Sequence, residues 1–166
     1  MEFSFEEIRR FVIGTVGLPG EREFYLQVTT QDRTVSFALE KGQAIALVER
    51  LRELLRELRR RDPQRFQTLS QSIEVDDLAL ETPIEPEFSL GEMSLLWIDD
   101  ANHIVFEAAG LQDDNSLNVS LTLGQATEFI RRTERVISAG RAPCPFCGLP
   151  LNIDGHLCPR ANGYRR

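Results

Sequence analysis

The sequence predicts an α+β fold built from two pseudo-symmetric βββα repeats with an antiparallel sheet. Two observations carry this prediction. Residues 39–50 and 121–132 share a Gly-Gln-Ala triplet that is followed by the same apolar pattern. Ahead of the triplet, each half contains segments of strand-like composition in the same order. Because the two triplets fall at the same structural point, a duplicated unit explains the pattern better than chance similarity between unrelated units.

Three strands are predicted ahead of the first helix. Residues 10–16 and 23–29 are rich in β-branched and aromatic side chains, which is typical of strands. Residues 18–20, Leu-Pro-Gly, lie between them and favour a turn. A second turn at residues 31–33 leads into a strand over residues 34–39. Connections this short favour antiparallel neighbours.

The second half repeats this order of elements. Residues 88–93 resemble residues 11–16 of the first half. Residues 94–98 and 104–108 then flank a hairpin turn, and residues 117–121 form the last predicted strand. The sequence therefore predicts strands in the same succession before the second triplet.

Each repeat is predicted to end in an amphipathic helix. The first helix covers about residues 41–60, where apolar side chains recur at spacings of three and four and form one stripe. Asp62 and Pro63 end this helix. The second helix covers about residues 124–139, and Gly140 suits a left-handed C-cap.

These elements divide the chain into four predicted segments. The first repeat takes residues 1–61 and the second takes residues 88–140, while residues 141–166 form a tail. Residues 62–87 form an acidic connecting segment, which we interpret as a surface connection. Partial alternation over residues 72–80 leaves an extra edge strand open as an alternative.

The composition limits the partners and the compartment. The net charge is −7 and the pI is about 4.9, which argues against general binding to nucleic acid or to anionic membranes. No stretch approaches the roughly 18 apolar residues of a membrane span. The acidic N-terminus lacks the basic start and apolar run of a signal peptide. We therefore expect a cytoplasmic protein that binds neither membranes nor, in general, nucleic acid.

All three cysteines lie in the tail, close to a histidine. Cys144 and Cys147 are separated by two residues, a spacing that lets both thiolates reach one tetrahedral ion. His156 and Cys158 follow after a turn-like stretch, so the four side chains supply three sulfurs and one imidazole. This donor set is common in structural zinc sites. The sequence therefore predicts a structural Zn²⁺ in a small zinc-ribbon-like tail.

Alternatives to this ligand set stay open. One residue between His156 and Cys158 is a tight spacing for two ligands of one ion, so Asp154 or a partner's side chain could replace the histidine. Redox proteins share the cysteine spacing, but their motif normally opens a helix, which residues 148–150 do not favour. Reduced thiols without a metal are a further alternative. Four protein ligands would close the site, as in structural rather than catalytic zinc centres.

No catalytic constellation stands out in the rest of the sequence. The glycine-rich residues 14–20 lack the lysine and the following helix of a phosphate-binding loop. His103 lies near Asp99 and Asp100, and we interpret this group as a hydrated hairpin tip rather than a general-base pair. The arginine-rich end of the tail could contact RNA, although the overall negative charge disfavours this.

The tail also carries a family resemblance. Residues 140–148, GR-x-PCP-x-CG, and residues 155–164, GH-x-CPR-x-NGY, resemble the ending of the uncharacterised bacterial domain-of-unknown-function 3090 family, from high-GC Gram-positive bacteria and their relatives. Residues 11–20, FV-x-GTVG-x-PG, and residues 38–41, ALEK, resemble the same family. The resemblance supports the four metal ligands as a set and implies no catalytic residue.

These observations lead to one expected function and two alternatives. We expect a non-catalytic binding or adaptor module that has a protein partner and a structural zinc ion. The first alternative is a small-ligand-binding protein or an enzyme that uses a cleft between the two repeats. The second alternative is RNA contact through the arginine-rich tail. The sequence makes no prediction of the oligomeric state.

Overall fold

The computed structural model of this chain describes residues 1–18, 20–67 and 76–139. Within these residues the chain forms seven β-strands and two α-helices. In chain order they are β1 (Glu2–Phe5), β2 (Arg10–Val16), β3 (Glu23–Thr29), β4 (Thr34–Leu39), α1 (Lys41–Arg61), β5 (Pro86–Ile98), β6 (His103–Gly110), β7 (Ser116–Thr122) and α2 (Leu123–Ser138).

All seven strands belong to one sheet, in the order β1-β7-β6-β5-β4-β3-β2. Neighbours within β2–β4 and within β5–β7 are antiparallel, but β4 pairs with β5, and β1 with β7, in parallel. The sheet is therefore mixed, and the prediction of an antiparallel sheet is wrong at these two junctions. Between β4 and β5 the reason is that α1 and the segment after it form a long crossover, which returns the chain to the end of the sheet where β4 began.

The three predicted strands and the helix of the first half are confirmed. β2, β3 and β4 have the predicted bounds, and α1 ends one residue later than expected. In the second half, β6, β7 and α2 cover the predicted segments, with ends that differ by one or two residues. An α+β fold is therefore confirmed for the described residues.

The fifth strand is longer than predicted because a β-bulge lies within it. Phe88 and Leu90 face the core, the register shifts between Leu90 and Met93, and Met93 and Leu95 then pack against the same core. A bulge adds one residue to a strand and so reverses which face each later side chain occupies. At Gly91 within the bulge, an added Cβ would lie 3.2 Å from the Gly110 carbonyl oxygen. The bulge thus joins two segments that the sequence pattern separates.

The sequence did not predict β1, which completes the sheet at the edge of the second half. Its residues pair in parallel with β7, with Phe3 opposite Leu117. The Phe3 ring lies 5.7 Å from the Phe37 ring of β4 and 5.9 Å from the Phe88 ring of β5, between ring centroids. The N-terminal strand therefore contacts both halves of the molecule.

Both helices pack on one face of the sheet, which we call the inner face. This face carries Phe11, Phe37 and Phe106, and α2 places Phe129 against it with a ring-centroid distance of 4.9 Å from Phe11. The apolar stripes of both helices join the same buried cluster. Burying each such large side chain contributes about 1.5–3 kcal/mol, so this shared core is the main source of stability.

The Gly-Gln-Ala triplets begin the two helices and also attach them to strands. In both helices the glutamine side chain accepts a hydrogen bond from the backbone N–H of the residue that caps the helix. The Gln43 side chain then donates to the carbonyls of Leu90 and Gly91 in β5. The Gln125 side chain donates to the carbonyl of Ile8, just after β1. Gln43 thus connects α1 to β5, the parallel neighbour of β4. In the same way Gln125 connects α2 to the chain just after β1, which is the parallel neighbour of β7.

Candidate functional site

The outer face of the sheet, opposite the helices, differs between the two halves. In the first half Val12, Gln27 and Ser36 lie in register across β2, β3 and β4, and their exposed fractions are 2%, 0% and 5%. We call this half the covered face. In the second half the row is Ser94, Glu107 and Asn118, of which Ser94 and Glu107 are exposed and Asn118 is half-buried.

A stretch of irregular backbone closes the covered face. Residues 76–81, which we call the strap, cross β2 and β3. Leu80 lies over Gly14, where an added Cβ would come within 2.5 Å of the leucine Cγ. The backbone N–H of Glu81 donates to Gln27 Oε1, and Gln27 Nε2 donates to the Glu81 carbonyl, both at 2.9 Å. The buried amide of Gln27 therefore holds the strap by its backbone.

The start of the strap is held by two arginines. Asp76 accepts hydrogen bonds from Arg10 of β2 at 2.5 and 3.0 Å. Arg132 of α2, only 7% exposed, donates to the carbonyls of Ile13, Asp76 and Leu78 at 2.7–3.0 Å. Sheet, strap and helix are thus joined by charge-assisted hydrogen bonds, which are stronger than neutral ones.

Burial and neighbouring charges shift the pKa values in this cluster. Burial alone would raise the pKa of Asp76, but hydrogen bonds from Arg10 and from the Leu78 N–H, with the positive charges nearby, hold it below its ordinary value. Burial, and then the Asp76 charge, raise the pKa of Glu128. Burial, and then the Arg10 charge, lower the pKa of Arg132. Apart from burial, the charges that cause these shifts belong to the cluster itself. We therefore interpret it as a structural ion cluster.

The strap region was predicted as a surface connection, and its inward contacts were missed. The alternative of an edge strand is wrong for residues 76–80, which form no strand. Residues 72–75 of that alternative lie outside the described residues. The available signal was Gln27, a polar side chain between the apolar residues Leu26 and Val28 of β3.

The outer face of the second half, which we call the open face, has Glu107 at its centre. Ser94 and Asn118 contact the Glu107 carboxylate, at 3.5 and 3.3 Å. A shallow depression of about 370 Å³ surrounds this group, and Glu2 and Glu92 also line it. The open face therefore carries three acidic side chains around one depression.

The open face also presents apolar surface beside these carboxylates. Leu96 is 54% exposed and lies opposite Val105, which is half-buried, in the next row of the sheet. Adjacent acidic and apolar surface suits a ligand that carries both positive charge and apolar side chains.

The junction between the halves is a pair of bonded strands. β4 and β5 are neighbours in the sheet, so the sheet continues across the boundary where a cleft between repeats was considered. A space of about 110 Å³ lies between α1 and β5, lined in part by Ala46, Arg50 and Leu95. This volume is small for a metabolite-sized ligand.

The hairpin tip near His103 is held rather than free. Arg65 donates to Asp99 at 2.8 Å, and Trp97 Nε1 donates to the same carboxylate at 3.1 Å. The hydrogen bond from Trp97, followed by that from Arg65, lowers the pKa of Asp99. Asp99 therefore fixes the turn, and His103 begins β6 beside it.

The four predicted metal ligands, Cys144, Cys147, His156 and Cys158, lie outside the described residues, as does the alternative ligand Asp154. In the part of the chain that is described, no group of three or more histidine, cysteine, aspartate and glutamate side chains could hold a metal ion. Neither α1 nor α2 has the length and apolar composition needed to cross a membrane.

A family model for proteins of unknown function, DUF3090, matches residues 3–158. The chain belongs to this family. The match extends from β1 through both helices to Cys158, so the covered face, the open face and the predicted metal ligands all fall within the family's matched region. Searches of curated proteins and of solved structures found no match.

Proposed function

We propose that this protein is a non-catalytic binding or adaptor module of the bacterial cytoplasm that docks a protein partner on the open face. One observation carries the proposal. The strap buries the outer face of the first half, whereas the matching row of the second half is exposed around Glu107 and Leu96. Exposed apolar surface rimmed by polar side chains is typical of interaction sites.

The proposal includes a duplicated architecture, in which the two βββα units are related by translation along the sheet. Three correspondences support it. Gln43 and Gln125 make the same two kinds of contact at the two helix starts. The Gln27–Ser36 hydrogen bond of the first half matches the Glu107–Asn118 bond of the second. Finally, β1 lies beside β7 as β5 lies beside β4.

The proposal also includes one structural zinc ion, held by Cys144, Cys147, His156 and Cys158. The spacing of the first two cysteines and the mixed sulfur and imidazole donors support it. Four protein ligands would leave no position for water or substrate, so the ion would stabilise the tail and take no part in a reaction.

Metal analysis of the purified full-length protein tests the zinc site. We expect about one zinc ion per chain, and its loss from Cys147→Ala. His103→Ala, which removes the only other histidine, should keep the metal and serves as the control. Comparison of His156→Ala with Asp154→Ala identifies the fourth ligand. Normal zinc content in Cys147→Ala would disprove the four-ligand site.

Site-specific photo-crosslinking in the native cell tests the docking surface. We expect p-benzoylphenylalanine in place of Leu96, on the open face, to form a discrete crosslink to another protein. The same substitution of Leu78, a leucine on the strap that is more exposed than Leu96 (70% against 54%), is the control. Equal crosslinking from both positions would contradict a specific site. If affinity capture from the native cell recovers only the monomer with a bound metabolite, the small-ligand alternative is favoured.

A further inference from the structure

We infer that in the free protein the open face is occupied by the chain's own C-terminal segment, residues 140–166, which a partner must displace. The displacement step rests on the proposed function, whereas the intramolecular contact does not. Docking would make the open face a regulated surface, available only when the segment is released.

The first argument is the strap, which shows how this chain covers the outer face of a half-sheet. Residues 62–81 carry the chain from the end of α1 to the covered face. Residues 140–166 follow α2 in the sequence as residues 62–81 follow α1, and they form the longer segment. The proposed zinc ion ties Cys144 to Cys158, but residues 140–143 and 159–166 remain free to extend and together span about 40 Å, against a radius of gyration of about 14 Å for a folded domain of this size. Reach therefore does not limit the contact.

The second argument is charge complementarity. The segment carries Arg141, Arg160, Arg165 and Arg166, with Asp154 as its one acidic residue, in a chain whose net charge is −7. The open face presents Glu2, Glu92 and Glu107 around one depression. Opposite charges on surfaces of one molecule favour their association, and attachment to the same chain raises the effective concentration to the millimolar range.

The third argument is the exchange of glutamine for glutamate at matching positions. Gln27 offers one donor and one acceptor, and the strap satisfies both with the N–H and carbonyl of Glu81. Glu107 offers acceptors only, so a segment that crosses at this point must supply donors. An arginine guanidinium supplies them in the paired geometry that a carboxylate accepts best.

The C-terminal segment also carries apolar side chains that could contact the apolar surface of the open face. The strap contributes the pair Leu78 and Leu80, with Leu80 placed against the sheet at Gly14. The C-terminal segment contains the same spacing at Leu149 and Leu151. On the open face, Leu96 and Val105 offer apolar contact for such a pair.

Photo-crosslinking of the purified full-length protein tests the inference. With p-benzoylphenylalanine in place of Leu96, we expect crosslinks to residues 140–166 within a product of monomer mass. Glu107→Arg in that background should lower the yield about fivefold, the effect of about 1 kcal/mol. Glu53→Arg, an exposed change on α1, should leave the yield unchanged. Raised salt should weaken the crosslink, because exposed charge pairs are screened.

Several other outcomes would overturn the inference. A product of dimer mass would assign the open face to a second copy of the chain. Monomer crosslinks outside residues 140–166, or a yield that Glu107→Arg does not change, would remove the basis for docking of the segment. If the purified protein gives no such crosslink while Leu96 still captures a protein in cells, the inference fails and the proposed function stands. If instead the purified protein gives the crosslink to residues 140–166 and Leu96 captures no protein in cells, the inference stands and the adaptor function is without support.

Discussion

Asp76 makes the strap sensitive to acid. Its pKa is held below the ordinary 3.8 because hydrogen bonds from Arg10 and the Leu78 N–H, with the nearby positive charges, together outweigh the effect of burial. A folded pKa below the unfolded one means that the carboxylate contributes stability above the unfolded value. That contribution is lost as the pH falls through the folded value. The strap should therefore weaken below about pH 4.

The variant Asp76→Asn tests this contact. We expect a loss of about 2 kcal/mol in the free energy of unfolding at pH 7, less than for a fully buried pair because the carboxylate keeps some solvent contact. The difference from wild type should shrink at pH 3, because Asp76 of the unfolded wild-type chain is then protonated and the stability that its lowered pKa contributes falls. Urea denaturation at the two pH values measures it.

Glu128→Gln provides the control of opposite sign. Burial raises the pKa of Glu128, so its charged form opposes folding and its removal should cost little or stabilise at pH 7. If the deficit of Asp76→Asn were the same at pH 3 and pH 7, the ion cluster would not be the source of the acid sensitivity.

At the scale of elements, the glutamines of the two triplets have two separable roles. As acceptors they cap a helix, and as donors they bind the carbonyls of a distant segment of chain. Glutamate can take the first role, since it is a common partner in a capping box, but it has no N–H for the second.

Gln43→Glu therefore isolates the contact between α1 and β5. We expect a loss of about 1–2 kcal/mol, because the Leu90 and Gly91 carbonyls lose their donor and face a carboxylate. Hydrogen exchange should quicken more in β5 than in β2. Gln125→Glu should give a similar loss through Ile8. Stability equal to wild type in both variants would show that the donor bonds contribute nothing measurable.

Local patterns predicted the elements well, and distant contacts explain what they missed. The bounds of β2, β3 and β4 follow from alternation and turn residues within each hairpin. β1 has only four residues, and its place beside β7 depends on packing of Phe3 against rings far away in the sequence. Parallel pairing of β4 with β5 depends on the path of α1, which periodicity does not reveal.

The candidate site was only partly accessible to the same reasoning. The four-ligand pattern of the tail is visible in the sequence. Which half has a covered outer face is not visible, because the strap is irregular backbone held by side chains of β2, β3 and α2. No hydrophobic period marks such a segment.

At the scale of the whole molecule, the two halves share one sheet and one core. β4 pairs with β5, and β1 brings N-terminal residues to the edge of the second half. The Phe3 side chain of β1, 7% exposed, contacts rings of β4 and β5 at once. Each half therefore depends on strand pairs and core contacts with the other half. We expect the described region to unfold as one cooperative unit.

Phe3→Ala tests this cooperativity. Loss of a buried phenylalanine should cost about 3–4 kcal/mol and lower the unfolding midpoint of both halves together. Trp97, the only tryptophan, reports on β5 by fluorescence, and far-UV circular dichroism reports on the whole chain. The two transitions should coincide in the wild type and in the variant. Leu111→Ala, at a position 59% exposed, should change the midpoint little. Separate transitions would instead show that residues 1–61 and 88–140 fold as independent units.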